Sequence, residues 1–152
     1  MVRQQFRAAL LFLALAATVQ PARAQVDVSN AWARPAVPGQ HGTGAFMTLK
    51  AKETARLVGA ASNVAGVVEI HEMAMEGNVM RMRALPVLDL PADRAVDLKP
   101  GGYHVMLLDL KRPLKVGEKI TVELRLETAD KRKVTQPVEV EVRMRGPGQD
   151  KH

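Results

Sequence analysis

Residues 120–128 read ITVELRLET, and residues 138–144 read VEVEVRM. In both stretches apolar side chains occupy every second position, and this period of two is typical of a β-strand that buries one face and exposes the other. Between them lies the basic run KRK at residues 131–133, which we interpret as the solvated tip of a hairpin. The two stretches therefore predict two strands joined by a turn.

Six stretches upstream also predict strands, because they place apolar and polar residues in alternation between turn signals. They are residues 44–49, 56–61, 67–75, 79–85, 95–98 and 103–108. Gly77-Asn78 is typical of a tight hairpin turn, and residues 99–102 (KPGG) and 115–118 (KVGE) also predict turns. We find no convincing stretch of amphipathic helix. About eight short strands at this spacing predict a single all-β domain, built as a Greek-key sandwich or a partly open barrel.

The first 24 residues have the features of a signal peptide. Arg3 and Arg7 form a basic start, residues 8–19 (AALLFLALAATV) are continuously apolar, and residues 22–24 (ARA) supply a small-x-small cleavage signal. The apolar run is shorter than the roughly 20 residues that a membrane-spanning helix needs. A membrane anchor or a buried N-terminal helix is the alternative interpretation. We expect residues 1–24 to be removed and the protein to be periplasmic, with no membrane span left.

Residues 25–145 then form one predicted domain, and residues 146–152 (GPGQDKH) a flexible tail. Three of the 22 basic residues precede residue 25, so 19 remain against 16 acidic ones and the net charge falls from +6 to about +3. The sequence shows no basic stripe with interleaved aromatic residues, and we expect no nucleic-acid partner. Cysteine is absent, which excludes a thiol nucleophile, a redox pair and a blue-copper thiolate site.

Histidine and methionine cluster in the central strands. His104 and Met106 are two residues apart, so an imidazole and a thioether point to the same face of a strand. The same spacing occurs at His71 with Met73 and at Met80 with Met82. Imidazole and thioether, without carboxylate or thiolate, suit Cu(I) better than Zn²⁺ or Mg²⁺. Methionine is also an ordinary core residue, so the spacing alone leaves metal binding and packing both open.

Four of these residues match a longer pattern, since ten residues separate His71 from Met82, 21 separate Met82 from His104, and Met106 follows at His-x-Met spacing. In this the chain resembles the PCuAC family of periplasmic copper chaperones, whose signature has the same residues at the same separations. Residues 31–34 (AWAR) and 99–107 (KPGGYHVML) resemble the family's flanking segments. The resemblance covers essentially the whole chain after the predicted signal peptide.

The resemblance implies a cupredoxin-like β-barrel with a Cu(I) site made by His71, Met82, His104 and Met106. It also implies a chaperone, not an enzyme, that carries copper toward the binuclear centre of cytochrome c oxidase subunit II, alongside Sco-type thiol proteins. The chain departs from some relatives because its end holds only Met144 and His152 in place of a His/Met-rich extension. A second copper site in the tail is therefore not expected. Copper storage or resistance, and a metal-free interaction sandwich, are the alternative functions.

An enzymatic function has little support in the sequence. Residues 71–75 (HEMAM) resemble the HExxH motif of zinc proteases only in part, because Met75 stands in place of the second histidine and the segment predicts a strand. Ser29 and Ser62, the serines after the predicted signal peptide, lie outside any nucleophile-elbow motif.

The remaining histidine and methionines near the predicted site keep two interpretations each. Met73 is expected to pack beside the site, although it could be an alternative ligand. Met75 and Met80 form either a rim of soft sulfur atoms or simple hairpin packing. His41, in the Pro/Gly loop at residues 34–43, is expected to be solvated.

Overall fold

Ten β-strands and their turns make up residues 26–149, which are the residues that the computed structural model describes. The strands are β1 (Val26–Ala33), β2 (Gly42–Ala51), β3 (Ala55–Ser62), β4 (Ala65–Glu76), β5 (Val79–Leu85), β6 (Leu88–Leu90), β7 (Ala95–Leu98), β8 (His104–Leu110), β9 (Lys119–Thr128) and β10 (Lys133–Val142). Within this range no helix could cross a membrane. The predicted signal peptide at 1–24 and the last tail residues, 150–152, lie outside the described residues.

The strands form one continuous sheet in the order β5-β4-β8-β2-β1-β10-β9-β3-β6, with β7 pairing with β2 beside this path. Only β1 and β10 pair in parallel; the other pairs between the described strands are antiparallel. β3 and β4 lie near opposite ends of the path, yet they are in contact, so the sheet curls into a partly open barrel. The prediction of an all-β fold is confirmed.

The core follows from the alternation that defines the strands. In β9 the side chains of Ile120, Val122, Leu124 and Leu126 are at most 3% exposed, while their neighbours in the sequence face solvent. Equivalent alternate residues of β2, β8 and β10 pack against them in a single apolar cluster. Burying one Val, Leu or Ile side chain contributes about 1.5–3 kcal/mol, so this cluster is the main source of stability.

Two strands are not predicted by the sequence. The sequence pattern does not predict β1, because the alternation breaks at Asn30, which has a φ of +55°. The register of β1 against β2 also shifts between Ser29 and Trp32. β6 is not predicted because it has only three residues. β10 also begins earlier than its alternation indicates, and it contains Pro137. The Gln136 side chain donates a 2.7 Å hydrogen bond to the Val26 carbonyl, which links β10 to β1 beyond their backbone pairing.

The predicted hairpin turns are present. Glu76 and Val79 are paired, and Gly77 between them has a φ of +63°, the conformation that a type II′ turn requires at its first central position. Lys131 lies in the turn that joins β9 to β10, so the basic run forms the expected hairpin tip. The first of these turns makes β5 an edge strand beside β4.

Candidate metal centre

The four residues that match the copper-chaperone pattern lie on one face of the sheet formed by β5, β4, β8 and β2. Directly opposed residues on neighbouring strands project to the same side of a sheet. The opposed pairs are Met73 with Met82, His71 with His104, Glu69 with Met106, and Met106 with Gly44. The register between β4 and β8 therefore places the two histidines side by side, although 32 residues separate them in the sequence.

Both thioethers and one imidazole of this set border a cleft of about 390 Å³, together with Met73 and the ring of Phe46. Met82 is the most open of the four predicted ligands, with 49% of its surface exposed, and Met106 is half-buried. His71 adjoins the cleft through its ring, whose centroid is 5.7 Å from that of His104. Met73 lines the same cleft, a position that fits both packing beside the site and a role as an alternative ligand.

His104 lies at the beginning of β8, as the sequence predicts, but its side chain is only 5% exposed. The position at a strand end therefore does not expose the imidazole to solvent. The physical reason is packing against two other rings, since the centroid of Phe46 lies 6.3 Å away and that of His71 5.7 Å away. Trp32 packs on Phe46 in turn, with centroids 4.7 Å apart, so an aromatic stack supports the imidazole from below.

A hydrogen bond fixes the tautomer of His104. Its Nδ1–H donates to the carbonyl of Gly102 over 3.1 Å, because a carbonyl oxygen can only accept. The same carbonyl accepts the backbone N–H of Met73 at 3.3 Å, which ties the turn before β8 to β4. With the proton on Nδ1, the lone pair of a neutral imidazole lies on Nε2, and this nitrogen is the one able to bind a metal.

Burial keeps His104 neutral. Its pKa is lowered chiefly by desolvation; the hydrogen bond to Gly102 opposes this by raising the pKa, and the charges of His71 and Arg34 lower it further. Arg34 lies close because its guanidinium stacks 5.4 Å from the centroid of Phe46. A neutral imidazole is the form that ligates metals, so the surroundings of His104 favour the ligating state at neutral pH.

Glu69 is a site residue that the sequence interpretation missed. Its Oε2 lies 2.7 Å from Nε2 of His71, so this nitrogen donates to the carboxylate. Nδ1 of His71 is buried and has no hydrogen-bond partner among the described residues. The signal was available, because Glu69 precedes His71 by two residues and therefore shares its face of β4. A carboxylate is thus present beside a site expected to have none.

Gly42 on β2 provides the space for the Met106 side chain. A Cβ atom at this position would lie 3.1 Å from the Met106 Cε and 3.3 Å from the Leu107 carbonyl oxygen. Such distances are tighter than ordinary van der Waals contact. The absence of a side chain at Gly42 therefore lets the thioether lie flat against β2.

Met75, Met80 and His41, whose roles the sequence left open, are all exposed. Met75 and Met80 face each other across the β4–β5 hairpin and are 60% and 47% exposed, so they do not belong to the core. His41 is exposed, and its backbone carbonyl accepts the N–H of Leu110, in agreement with a solvated side chain. In the described part of the tail, Gly146 is buried beside the Trp32 ring.

The chemistry of the site is set by nitrogen and sulfur. Among residues 26–149 no group of three or more His, Cys, Asp or Glu side chains could hold a metal ion. The cleft is lined by the thioethers of Met73, Met82 and Met106 beside the His104 imidazole, and thioethers favour soft ions. The arrangement can bind a soft monovalent ion through neutral ligands, with Met82 open to solvent and His104 covered.

Comparison with known proteins agrees with the fold. The model of the LpqE-like family, described as "Putative lipoprotein LpqE-like", matches residues 26–138. The Leifsonia xyli protein named "Putative lipoprotein Lxx21020" is 38% identical over 116 residues, which are 74% of this chain and 69% of that protein.

Two solved structures have the same fold. The copper-bound PCuAC domain from PmoF2 superposes with a TM-score of 0.59 at 23% identity, over 79% of this chain and 95% of that one. The solution structure of CuI-DR1885 from Deinococcus radiodurans has a TM-score of 0.55 at 36% identity, over 77% and 78% of the two chains. The resemblance to the PCuAC family and the cupredoxin-like architecture are thereby confirmed.

Proposed function

Because this chain belongs to the LpqE-like family and has the fold of the PCuAC domains, we propose that it binds one Cu(I) ion and carries it to another protein. The proposed ligands are His71, Met82, His104 and Met106. The observation that supports them best is the convergence of two imidazoles and two thioethers on one face of the sheet. The Cu(I) form of the related DR1885 supports the choice of ion.

The hydrogen bonds of the two histidines indicate which atoms would bind. His104 is held through Nδ1, which leaves Nε2 for the metal. His71 is held through Nε2 by Glu69, which leaves its buried and unpartnered Nδ1 for the metal. In this arrangement Glu69 is a positioning residue, comparable to the carboxylates that orient ligating histidines in many metal sites.

The neutral ligand set favours a monovalent ion. No ligand carries a negative charge, so nothing in direct contact with the metal balances a second positive charge. Thioether sulfur also binds Cu(I) more readily than Zn²⁺, whose usual protein ligands are Cys, His, Asp and Glu. Methionine cannot be lost to disulfide formation, which suits a site in the oxidising periplasm.

We assign the protein to carriage, not turnover, because its ligands differ in accessibility. Met82 is 49% exposed and His104 5%, so an incoming acceptor ligand reaches the Met82 thioether first and the imidazole of His104 last. At each exchange one bond from copper to the acceptor forms and one bond from copper to a thioether sulfur or imidazole nitrogen of this protein breaks. Copper stays Cu(I) throughout, and an acceptor thiol binds as the thiolate after its proton passes to solvent.

The destination of the ion follows from the family resemblance. We expect an acceptor in the assembly of the binuclear copper centre of cytochrome c oxidase, subunit II itself or a Sco-type protein. The lipoprotein names of the relatives support export, and therefore a periplasmic location. Storage or resistance would use the same site, but a half-exposed ligand favours transfer over retention.

Titration with Cu(I) tests the proposal. Under anaerobic, reducing conditions and against a competing chelator, the purified protein is expected to retain one equivalent of Cu(I) and no Zn²⁺. Binding to the native state should also raise the apparent stability toward heat. If Cu(I) is not retained, or if Zn²⁺ is retained equally well, the function is that of a metal-free interaction domain or of a different metal site.

Glu69→Leu is expected to lower the Cu(I) affinity by about 10- to 100-fold, which is the usual cost of removing the partner that orients a ligating histidine. Glu69→Gln should recover part of this loss, because its amide oxygen can still accept the Nε2–H of His71. Competition titration measures both variants, and circular dichroism controls for folding. Equal Cu(I) affinity in Glu69→Leu and in the wild type would contradict the role of Glu69 as a positioning residue.

A further inference from the structure

Four methionines form two neighbouring cross-strand pairs on the β4–β5 hairpin. Met73 opposes Met82, and one step nearer the turn Met75 opposes Met80. Opposed residues of an antiparallel pair have Cβ atoms about 4.5–5.5 Å apart, and each Met sulfur lies two bonds beyond Cβ. The two sulfur atoms of either pair can therefore contact one ion. The function proposed above uses only Met82 from this ladder.

Packing does not explain the outer pair. Met75 is 60% exposed and Met80 47%. Met80 lies on the edge strand β5, and Met75 lies beyond His71, the last β4 residue that pairs with β8. With Met82 on the same face, they are three of the eight large apolar side chains that are exposed in the described chain. Exposed apolar side chains at one place usually mark a site of interaction.

The charges on the hairpin point away from these thioethers. Arg81 pairs with Glu76 over 3.0 Å, and Arg83 pairs with Glu72. These residues alternate with the methionines along β5 and β4, so their side chains lie on the opposite face. The face that carries the outer pair therefore presents neutral, soft sulfur, and the carboxylate on this face of β4, that of Glu69, lies six residues before Met75 along the strand.

We propose that Met75 and Met80, with Met73 as third ligand, form an outer site for a soft monovalent cation, Cu(I) in the cell and Ag(I) as its redox-stable probe. The ion first binds Met75 and Met80, and its bonds to these two residues are then replaced by a bond to Met73 and afterwards by one to Met82. It thereby reaches the copper site proposed above, which we call the inner site. Each exchange is between neutral thioethers, so the charge on the ion is unchanged. Binding at the outer site requires only its own three methionines. Its role as an entry point rests on the function proposed above.

Ag(I) titration tests the outer site, followed by native mass spectrometry and by the ¹³C-methyl NMR signals of labelled methionines. The wild type is expected to bind two equivalents, and the second, weaker one should shift the Met75 and Met80 methyl signals. The double variant Met75→Leu/Met80→Leu should lose the second equivalent and keep the first. Met144→Leu is the matched control, because Met144 is 71% exposed and belongs to no methionine pair; it should keep both.

Variants of the inner site separate the two proposals. His104→Ala, or Met106→Leu if the first variant fails to fold, should weaken the first equivalent while the second still shifts the Met75 and Met80 signals. A single Ag(I) equivalent in the wild type with those signals unmoved would overturn the outer site. An unchanged second equivalent in the double variant would overturn it as well.

The entry role has its own measurement. In the double variant, stopped-flow loading with Cu(I) is expected to be slower than in the wild type, while the final affinity of the inner site stays the same. Equal loading rates in the two proteins would overturn the entry role.

Discussion

Replacing His104 by alanine is expected to lower the Cu(I) affinity by more than about 100-fold, because loss of a ligand costs more than loss of the partner that orients one. His104 is the most deeply buried of the four proposed ligands, and solvent cannot easily supply a substitute at its position. Met106→Leu is expected to act in the same direction with little change in stability, since leucine and methionine fill similar volumes. Anaerobic competition titration gives both affinities.

The controls for this experiment are His41→Ala and Met144→Leu. His41 is exposed in the loop before β2, and Met144 is exposed after β10, so both variants should retain wild-type affinity. They repeat the chemical change of the test variants at two residues that do not line the cleft. Wild-type affinity in His104→Ala and Met106→Leu would show that the His/Met spacing reflects packing only.

Leu107→Ala is expected to lower the free energy of unfolding by about 2–5 kcal/mol, the range found for truncation of a fully buried leucine. Leu107 is 0% exposed and packs in the apolar cluster, whereas its neighbours Met106 and Leu108 lie on the face of the site. Chemical denaturation measures the effect as a lower midpoint with an unchanged slope.

Leu108→Ala is the matched control for this variant, because it makes the same change on the same strand at a half-buried position. It should cost clearly less. Equal losses for the two variants would contradict the assignment of the two faces of β8. Cu(I) should restore part of the stability of Leu107→Ala, since the proposed site is assembled from three strands only in the folded protein.

Most of the fold could be predicted because alternation is a local property. β9 illustrates this, since apolar and polar residues alternate at 120–126 and the observed burial follows the same alternation there. β1 could not be predicted, because its bulge near Asn30 is stabilised by pairing with β2 and has no local signal. The first half of β10 could not be predicted either, because it contains Pro137 and the partner strands determine its structure.

The site could be predicted in composition but not in its orientation. The spacing of two places His104 and Met106 on one face, and the resemblance to a known family supplies the partners His71 and Met82. The tautomers could not be predicted, because they depend on Gly102 and Glu69, which reach the two imidazoles only in the folded sheet. The burial of His104 was also missed, because its cover comes from Phe46 on a different strand.

One face of β8 packs in the core and the other carries the proposed ligands His104 and Met106, so we expect β8 to tolerate neither insertions nor deletions. Adding one residue between Gly102 and Met106 would exchange the two faces from that point on, because side chains alternate strictly along a strand. Methionine would then enter the core, and an aliphatic side chain would stand at the proposed copper site. Differences in length among related sequences should therefore be confined to the turns, while the pairing register of β8 with β2 and β4 stays the same.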